Sequence, residues 1–131
     1  MRKFIALFAA FLAINANAQF NKTELRKRQI PFFDSIIKTG SFVNIDVSIS
    51  PTPLPPDTNM FVYVAQLELN NKFKFDTDSL KNYAENVLIK KLIKEVLEKE
   101  LKHCYSVVFI FVQGLQGFKY VKREVFALKE E

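Results

Sequence analysis

The feature that most limits how this chain can fold is the stretch from Asp76 to Lys102, which contains neither glycine nor proline. Asp76 or Asp78 can cap the first turn of a helix, and no residue before Lys102 is of a type that breaks one. A helix of about 25 residues is roughly 37 Å long, which exceeds the width of a sheet of short strands. The sequence therefore predicts one long helix that extends beyond the sheet on which it packs.

The apolar side chains of this predicted helix do not stay on one side. At about 100° per residue, one stripe consists of Leu80, Tyr83, Ala84, Val87 and Leu88, and a second, nearly opposite stripe of Leu92, Ile93, Val96 and Leu97. A break near Ile89 would let both halves pack on the same core. A straight helix would instead present Leu92, Val96 and Leu97 to the N-terminal helix, to a second copy of the chain in a homodimer, or to another protein.

Four segments have the composition and alternation of β-strands, and they are residues 42–50, 60–69, 105–112 and 118–128. In the first, Val43, Ile45, Val47 and Ile49 point to one face and polar residues to the other, which predicts one buried and one solvent-exposed face. The second is apolar on both faces at its start, as central strands are.

The remaining segments complete a predicted α+β fold. Residues 20–40 have the pattern of a helix that Pro31 interrupts, so that one kinked helix or two short ones are expected. Asn70-Asn71 suits a two-residue hairpin turn, after which residues 72–75 alternate as a short returning strand. We therefore expect residues 19–131 to form a single domain with an antiparallel sheet of four or five strands, and with a kinked N-terminal helix and one long helix packed on one face.

The first eighteen residues have the three-part pattern of a secretory signal peptide. Arg2 and Lys3 precede an uncharged and mostly apolar run of eleven residues, and a small-residue A-x-A site ends at Ala18. The run is too short to span a bilayer, which takes about 20 apolar residues. Cleavage near Ala18-Gln19 is predicted to release a periplasmic or extracellular protein that has no stable membrane anchor.

Charge and cysteine content narrow the possible partners. Loss of the signal peptide lowers the formal net charge from +5 for 131 residues to +3 for 113. A basic cluster at residues 119–123 alternates with Phe118 and Tyr120, as a base-stacking surface would. The small net charge and the predicted export nevertheless disfavour a nucleic acid partner.

Cys104 is the single cysteine and has apolar neighbours, so we expect it to be buried rather than paired between two chains.

No pattern of reactive residues indicates an enzyme. His103 and Cys104 are adjacent, but consecutive side chains diverge in strands and helices, which argues against a thiol–imidazole pair. One histidine and one cysteine offer no metal-ligand spacing, and no glycine-rich phosphate loop is present. Asp46 and Glu68 are the acidic residues most worth considering for a carboxylate pair, and we expect both to be solvated. The sequence predicts no catalytic residue, metal site or cofactor.

These observations favour a non-enzymatic binding protein whose partner is a protein or a peptide. The contact regions would be an edge strand, the long helix or the proline-rich loop at residues 51–59, and the candidate residues are Leu92, Val96, Leu97, Pro53, Leu54, Phe118 and Tyr120. The alternative is a small hydrophobic-ligand or lipid binder, in which phenylalanines line a cavity between sheet and helix.

Overall fold

The computed structural model describes residues 20–51 and 60–123 of the chain. The predicted signal peptide with its cleavage site, Pro53 and Leu54 of the proline-rich loop, and the end of the predicted last strand lie outside the described residues. The elements are α1 (Lys22–Lys38), β1 (Phe42–Pro51), β2 (Phe61–Leu69), α2 (Thr77–His103), β3 (Cys104–Gln113) and β4 (Gln116–Arg123). The predicted α+β class is thereby confirmed. Neither described helix is long and apolar enough to cross a membrane.

The four strands form one sheet in the order β1-β2-β3-β4. β1 pairs with β2 and β3 with β4 in antiparallel fashion, whereas β2 and β3 run parallel. The prediction of a purely antiparallel sheet was therefore wrong. The physical reason is the position of α2, which connects β2 to β3 and returns the chain to the end of the sheet where β2 began.

The predicted hairpin at Asn70-Asn71 and the returning strand at residues 72–75 are also absent, because this segment forms a turn that leads into α2. Side-chain hydrogen bonds hold this turn. The amide of Gln113 donates to the carbonyl oxygens of Asn70 and Phe73 at 3.0 and 2.7 Å. The Asn70 side chain accepts from the Lys72 N–H at 3.0 Å and donates to the Gly40 carbonyl at 3.2 Å.

One face of the sheet carries both helices and the hydrophobic core. Tyr63 on β2 lies opposite Ile49 on β1 and Val107 on β3, and all three side chains are buried. The strict alternation predicted for β1 fails at its start, where a bulge between Phe42 and Asn44 buries Phe42 and leaves Val43 54% exposed. We refer to the sheet surface opposite the helices as the open face.

α1 is one helix with Pro31 inside it rather than two short helices. The Asn21 side chain caps it by accepting from the Glu24 N–H at 3.0 Å. Its buried side chains are Leu25, Phe32 and Ile36. The Tyr63 hydroxyl donates to Gln29 Oε1 at 2.7 Å and so links α1 to β2.

α2 begins after the Asp76 cap, as predicted, and it contains two turns with π-type hydrogen bonding at Ala84–Leu88 and Ile93–Leu97. The backbone of Ile89 itself is α-helical, so the helix is not broken there. A π turn contains about one residue more than an α turn. Each π turn therefore rotates the residues that follow it back by roughly 100° about the helix axis. Two such turns offset the half-turn shift between the two apolar stripes.

The result is one continuous row of buried side chains at intervals of four residues: Leu80, Ala84, Leu88, Leu92 and Val96. The candidate interaction surface Leu92, Val96 and Leu97 is fully buried, and the second π turn contacts α1. Of the occupants considered for this surface, the N-terminal helix is the one that the structure shows. These three residues are not available to a second copy of the chain or to another protein.

We expect Leu92→Ala to lower the free energy of unfolding by about 2–5 kcal/mol, because it removes a fully buried side chain and leaves a cavity. The matched change Val87→Ala, at a side chain that is 39% exposed on the same helix, should alter it by less than about 0.5 kcal/mol. Urea denaturation followed by circular dichroism measures both values. Equal and small effects would mean that Leu92 is not part of the core.

Candidate functional site

A groove of about 560 Å³ runs between α2 and β4. Its apolar floor is formed by Ile89, Ile93 and Tyr120, with Ile89 and Tyr120 buried and Ile93 half-buried. The remaining lining residues are charged or polar and comprise Glu85, Asn86, Lys90, Lys94, Glu98 and Lys122. An apolar floor with a charged rim is typical of a site that binds part of another molecule.

The β3–β4 hairpin determines which side chains of β4 face the groove. Gly114 adopts a φ of 60° in the tight turn, a conformation that residues other than glycine rarely adopt. From this turn β4 pairs with β3 in unbroken register, with Phe118 opposite Phe111 and Tyr120 opposite Phe109. The ring centroids of each pair are 6.4 Å apart and the rings are stacked. Both aromatic side chains therefore point towards the helices.

Of the two aromatic candidates on β4, Tyr120 lines the groove and Phe118 does not. Burial, and to a lesser degree the carboxylate of Glu85, raises the pKa of Tyr120. Among the described residues no hydrogen bond to the Tyr120 hydroxyl is seen. This hydroxyl stays protonated at neutral pH and can donate to an acceptor that enters the groove.

β4 is an edge strand, since β3 is its one neighbour in the described sheet. Its register contains no bulge, so its outer backbone groups form a regular row. The opposite edge, β1, differs in that it carries the bulge near Phe42 and ends at Pro51. Bulges and prolines hinder the addition of another strand. The described structure thus offers one regular edge, and the groove lies beside it.

Two of the three cations considered for a base-stacking surface lie on the opposite face of β4 from the two rings, and Lys122 lies on the same face as the rings. Phe118 and Tyr120 lie on the helix side of β4, while Lys119 and Arg123 lie on the open face. The Phe118 ring is half-buried against Phe111, and Tyr120 is buried. Nucleic acid bases therefore could not stack on these rings while contacting Lys119 and Arg123.

Of the residues considered for catalysis, the cysteine is buried and the two acids are exposed on the sheet. Cys104 is fully buried, with its Sγ 3.6 Å from the Ser106 carbonyl oxygen, and burial raises the pKa of its thiol to about 12. Asp46 and Glu68 lie on the open face of neighbouring strands, and both are exposed. Asp76 accepts from the backbone N–H groups of Asp78 and Ser79, so its carboxylate is the helix cap. No cluster of possible metal ligands occurs within residues 20–51 and 60–123.

The sequence contains a signal for the groove that the α-helical period does not reveal. The dipeptide Ile-Lys occurs at Ile89-Lys90 and again four residues later at Ile93-Lys94. Each isoleucine contributes to the floor and each lysine to the rim. The spacing of four residues, rather than the α-helical period alone, indicates that these residues lie on one side of α2.

A second cavity of about 360 Å³ lies where β1 begins and β2 ends. Phe42, Phe73 and Tyr83 are its aromatic lining residues, and Leu69 and Leu80 add to its apolar surface. The rings of Phe42 and Tyr83 stack with their centroids 5.9 Å apart. Phe73 is 47% exposed at the rim of the cavity.

Comparison of this chain with protein-family models, with curated proteins and with solved structures finds no match.

We expect the alkaline pH dependence of stability to be smaller in Cys104→Ala than in the unmodified protein. The thiol has a pKa of about 12 when folded and an ordinary value of 9.0, so above pH 9 the unfolded chain loses a proton that the folded chain keeps. The contribution of the neutral thiol to the free energy of unfolding is complete below pH 9 and declines as the pH rises. From pH 8 to pH 10 the difference in free energy of unfolding between the unmodified protein and Cys104→Ala should shrink by about 1 kcal/mol.

Denaturant titrations at both pH values measure this difference. A difference that is independent of pH would contradict the burial of the thiol.

Proposed function

We propose that this protein is an exported, non-enzymatic binding protein that takes up an extended segment of a protein or peptide along β4. The observation that carries the proposal is the juxtaposition of a regular edge strand with a groove of about 560 Å³. An incoming strand would hydrogen-bond to the outer backbone groups of β4. Every second side chain of that strand would enter the groove.

The dimensions of the groove indicate the length of the segment. The lining residues of α2 extend from Glu85 to Glu98, and at 1.5 Å per residue this distance is roughly 20 Å. An extended strand rises about 3.3 Å per residue, so roughly six residues would span the groove. About three of their side chains would point towards Ile89, Ile93 and Tyr120.

Of the contact regions expected from the sequence, two combine in this proposal. The edge strand contributes its backbone together with Tyr120, and the long helix contributes Ile89 and Ile93 in place of Leu92, Val96 and Leu97. The case for export comes from the N-terminal sequence alone, with its basic start, apolar run and A-x-A site.

We expect Val121→Asp to weaken peptide binding about tenfold or more. Val121 is on β4, is 41% exposed and lies on the open face beside the strand position of the peptide. The matched control Val43→Asp makes the same change at a 54% exposed residue on the opposite edge strand. The probes are peptides selected from a displayed random library against the purified chain, and fluorescence anisotropy measures their affinities.

Hydrogen exchange supplies the second readout of this experiment, since β4 amides that do not bond to β3 should become protected when a peptide binds. Equal affinities of the two variants, or protection on β1 instead of β4, would overturn the proposal.

A second candidate function is the binding of a small hydrophobic ligand or lipid. The observation in its favour is the cavity lined by Phe42, Phe73 and Tyr83, which lies between the end of the sheet and the first turns of α2. At about 360 Å³ it is within the size range of small-molecule sites. We rank it second, because it involves no regular edge strand and one of its rings, that of Phe73, is 47% exposed.

Native mass spectrometry of the protein recovered after expression of the full chain tests both the export and the second candidate. We expect a polypeptide mass that begins at Gln19 and no additional ligand mass. A full-length mass would contradict cleavage of the signal peptide. A ligand that is retained in the unmodified protein but lost from Phe42→Ala would favour the cavity over the groove.

A further inference from the structure

We propose that the segment bound along β4 is acidic, with carboxylates on both of its faces. This inference rests on the proposed function, and it specifies the chemical class of the partner. It is carried by the charges that surround β4 on its two sides.

Within the described residues, cations outnumber carboxylates around the groove and β4. Glu85 and Glu98 are the two carboxylates that line the groove, whereas β4 itself contains no acidic residue. The cations are Lys90, Lys94 and Lys122 in the groove and Lys119 and Arg123 on the open face of β4. The five cations and the two carboxylates together give a local charge of +3. The formal net charge of the chain after loss of the signal peptide would also be +3.

None of these five cations forms an ion pair with a carboxylate within the described residues. The ion pair seen there is Arg28–Glu24, which joins two residues of α1 at 3.2 Å. A carboxylate from a bound segment would therefore gain attraction without having to displace an internal partner.

The alternation of β4 places these charges where both faces of an added strand would meet them. Side chains of the bound strand that point towards α2 would meet Lys90, Lys94 and Lys122 above the apolar floor. Those that point the other way would lie beside Lys119 and Arg123, with the exposed Val121 between them. The expected segment therefore has an apolar residue for the floor of the groove and acidic residues on both sides.

The same charges argue against a second copy of this chain at this edge. Antiparallel pairing of two β4 strands would bring Lys119, Lys122 and Arg123 of each copy into one ladder with no acidic residue. Like charges on opposed strands destabilise pairing. Lysines on an edge strand are a known means of preventing self-association, and here they leave the edge free for a partner of opposite charge.

The test compares charge-reversal variants in the peptide assay. Lys119→Glu on the open face and Lys122→Glu in the groove should each weaken binding of the selected peptides about tenfold or more. Lys27→Glu makes the same change at an exposed residue of α1, outside the groove, and should leave the affinity unchanged. We also expect peptides selected from the random library to be enriched in Asp and Glu.

Salt provides a second readout, because the Debye length falls from about 10 Å at 0.1 M to about 3 Å at 1 M ionic strength. The difference in peptide affinity between Lys119→Glu and the unmodified chain should therefore shrink as the salt concentration is raised. The loss of affinity caused by Val121→Asp should persist, since it does not depend on ion pairing alone.

The possible outcomes separate this inference from the proposed function. Selected peptides that show no enrichment in acids but lose affinity on Val121→Asp would overturn the acidic partner and leave strand binding intact. Peptides whose affinity does not change on Val121→Asp would overturn both the acidic partner and strand binding. An eight-residue oligothymidylate that binds as tightly as the acidic peptides, and is lost in the same lysine variants, would show an unspecific anion site and also overturn the inference.

Discussion

The burial of a row of side chains spaced four residues apart along α2 is the constraint on which the rest of this structure depends. A uniform α-helix turns by about 40° too far at every fourth residue, so it could not keep Leu80, Leu88 and Val96 on one core. The two π turns remove this difference. With them, one helix can cover the sheet with its first half and contact α1 with its second half.

The floor of the groove lies at the α-helical turn Ile89–Leu92, which one π turn precedes and the other follows. Ile89 and Ile93 are four residues apart, a spacing that puts both near one side of α2. The rim lysines Lys90 and Lys94 repeat this spacing. π turns are frequent at functional sites, and in this protein they flank the turn that carries the groove floor.

The edge strand β4 is the feature that both proposals share. Within the described residues β3 is the one strand that pairs with β4, so the proposed segment would pair with its outer backbone groups. β4 contains three cations and no acidic residue. In the proposed function these charges would oppose pairing with another copy of the chain and favour a segment that carries carboxylates.

Local patterns were enough to predict β1 to β4, the cap of α2 and the burial of Cys104, because alternation, capping and apolar neighbours act over a few residues. They also predicted a strand at residues 72–75 that does not form. They were not enough for the parallel pairing of β2 and β3, which depends on where α2 returns the chain. The turn at residues 70–76 depends on Gln113, more than 35 residues further along the chain. Such a contact leaves no mark in the local pattern of Asn70 and Asn71.

The sequence by itself determined the α+β class and the alternation that separates Phe118 and Tyr120 from Lys119 and Arg123 on β4, since both follow from the backbone geometry of single elements. The tertiary structure decided that Leu92, Val96 and Leu97 are core and that Ile89 and Ile93 line a groove. The reason is that packing of α2 against the sheet and α1 favours two π turns, whose positions the α-helical period of the sequence does not show.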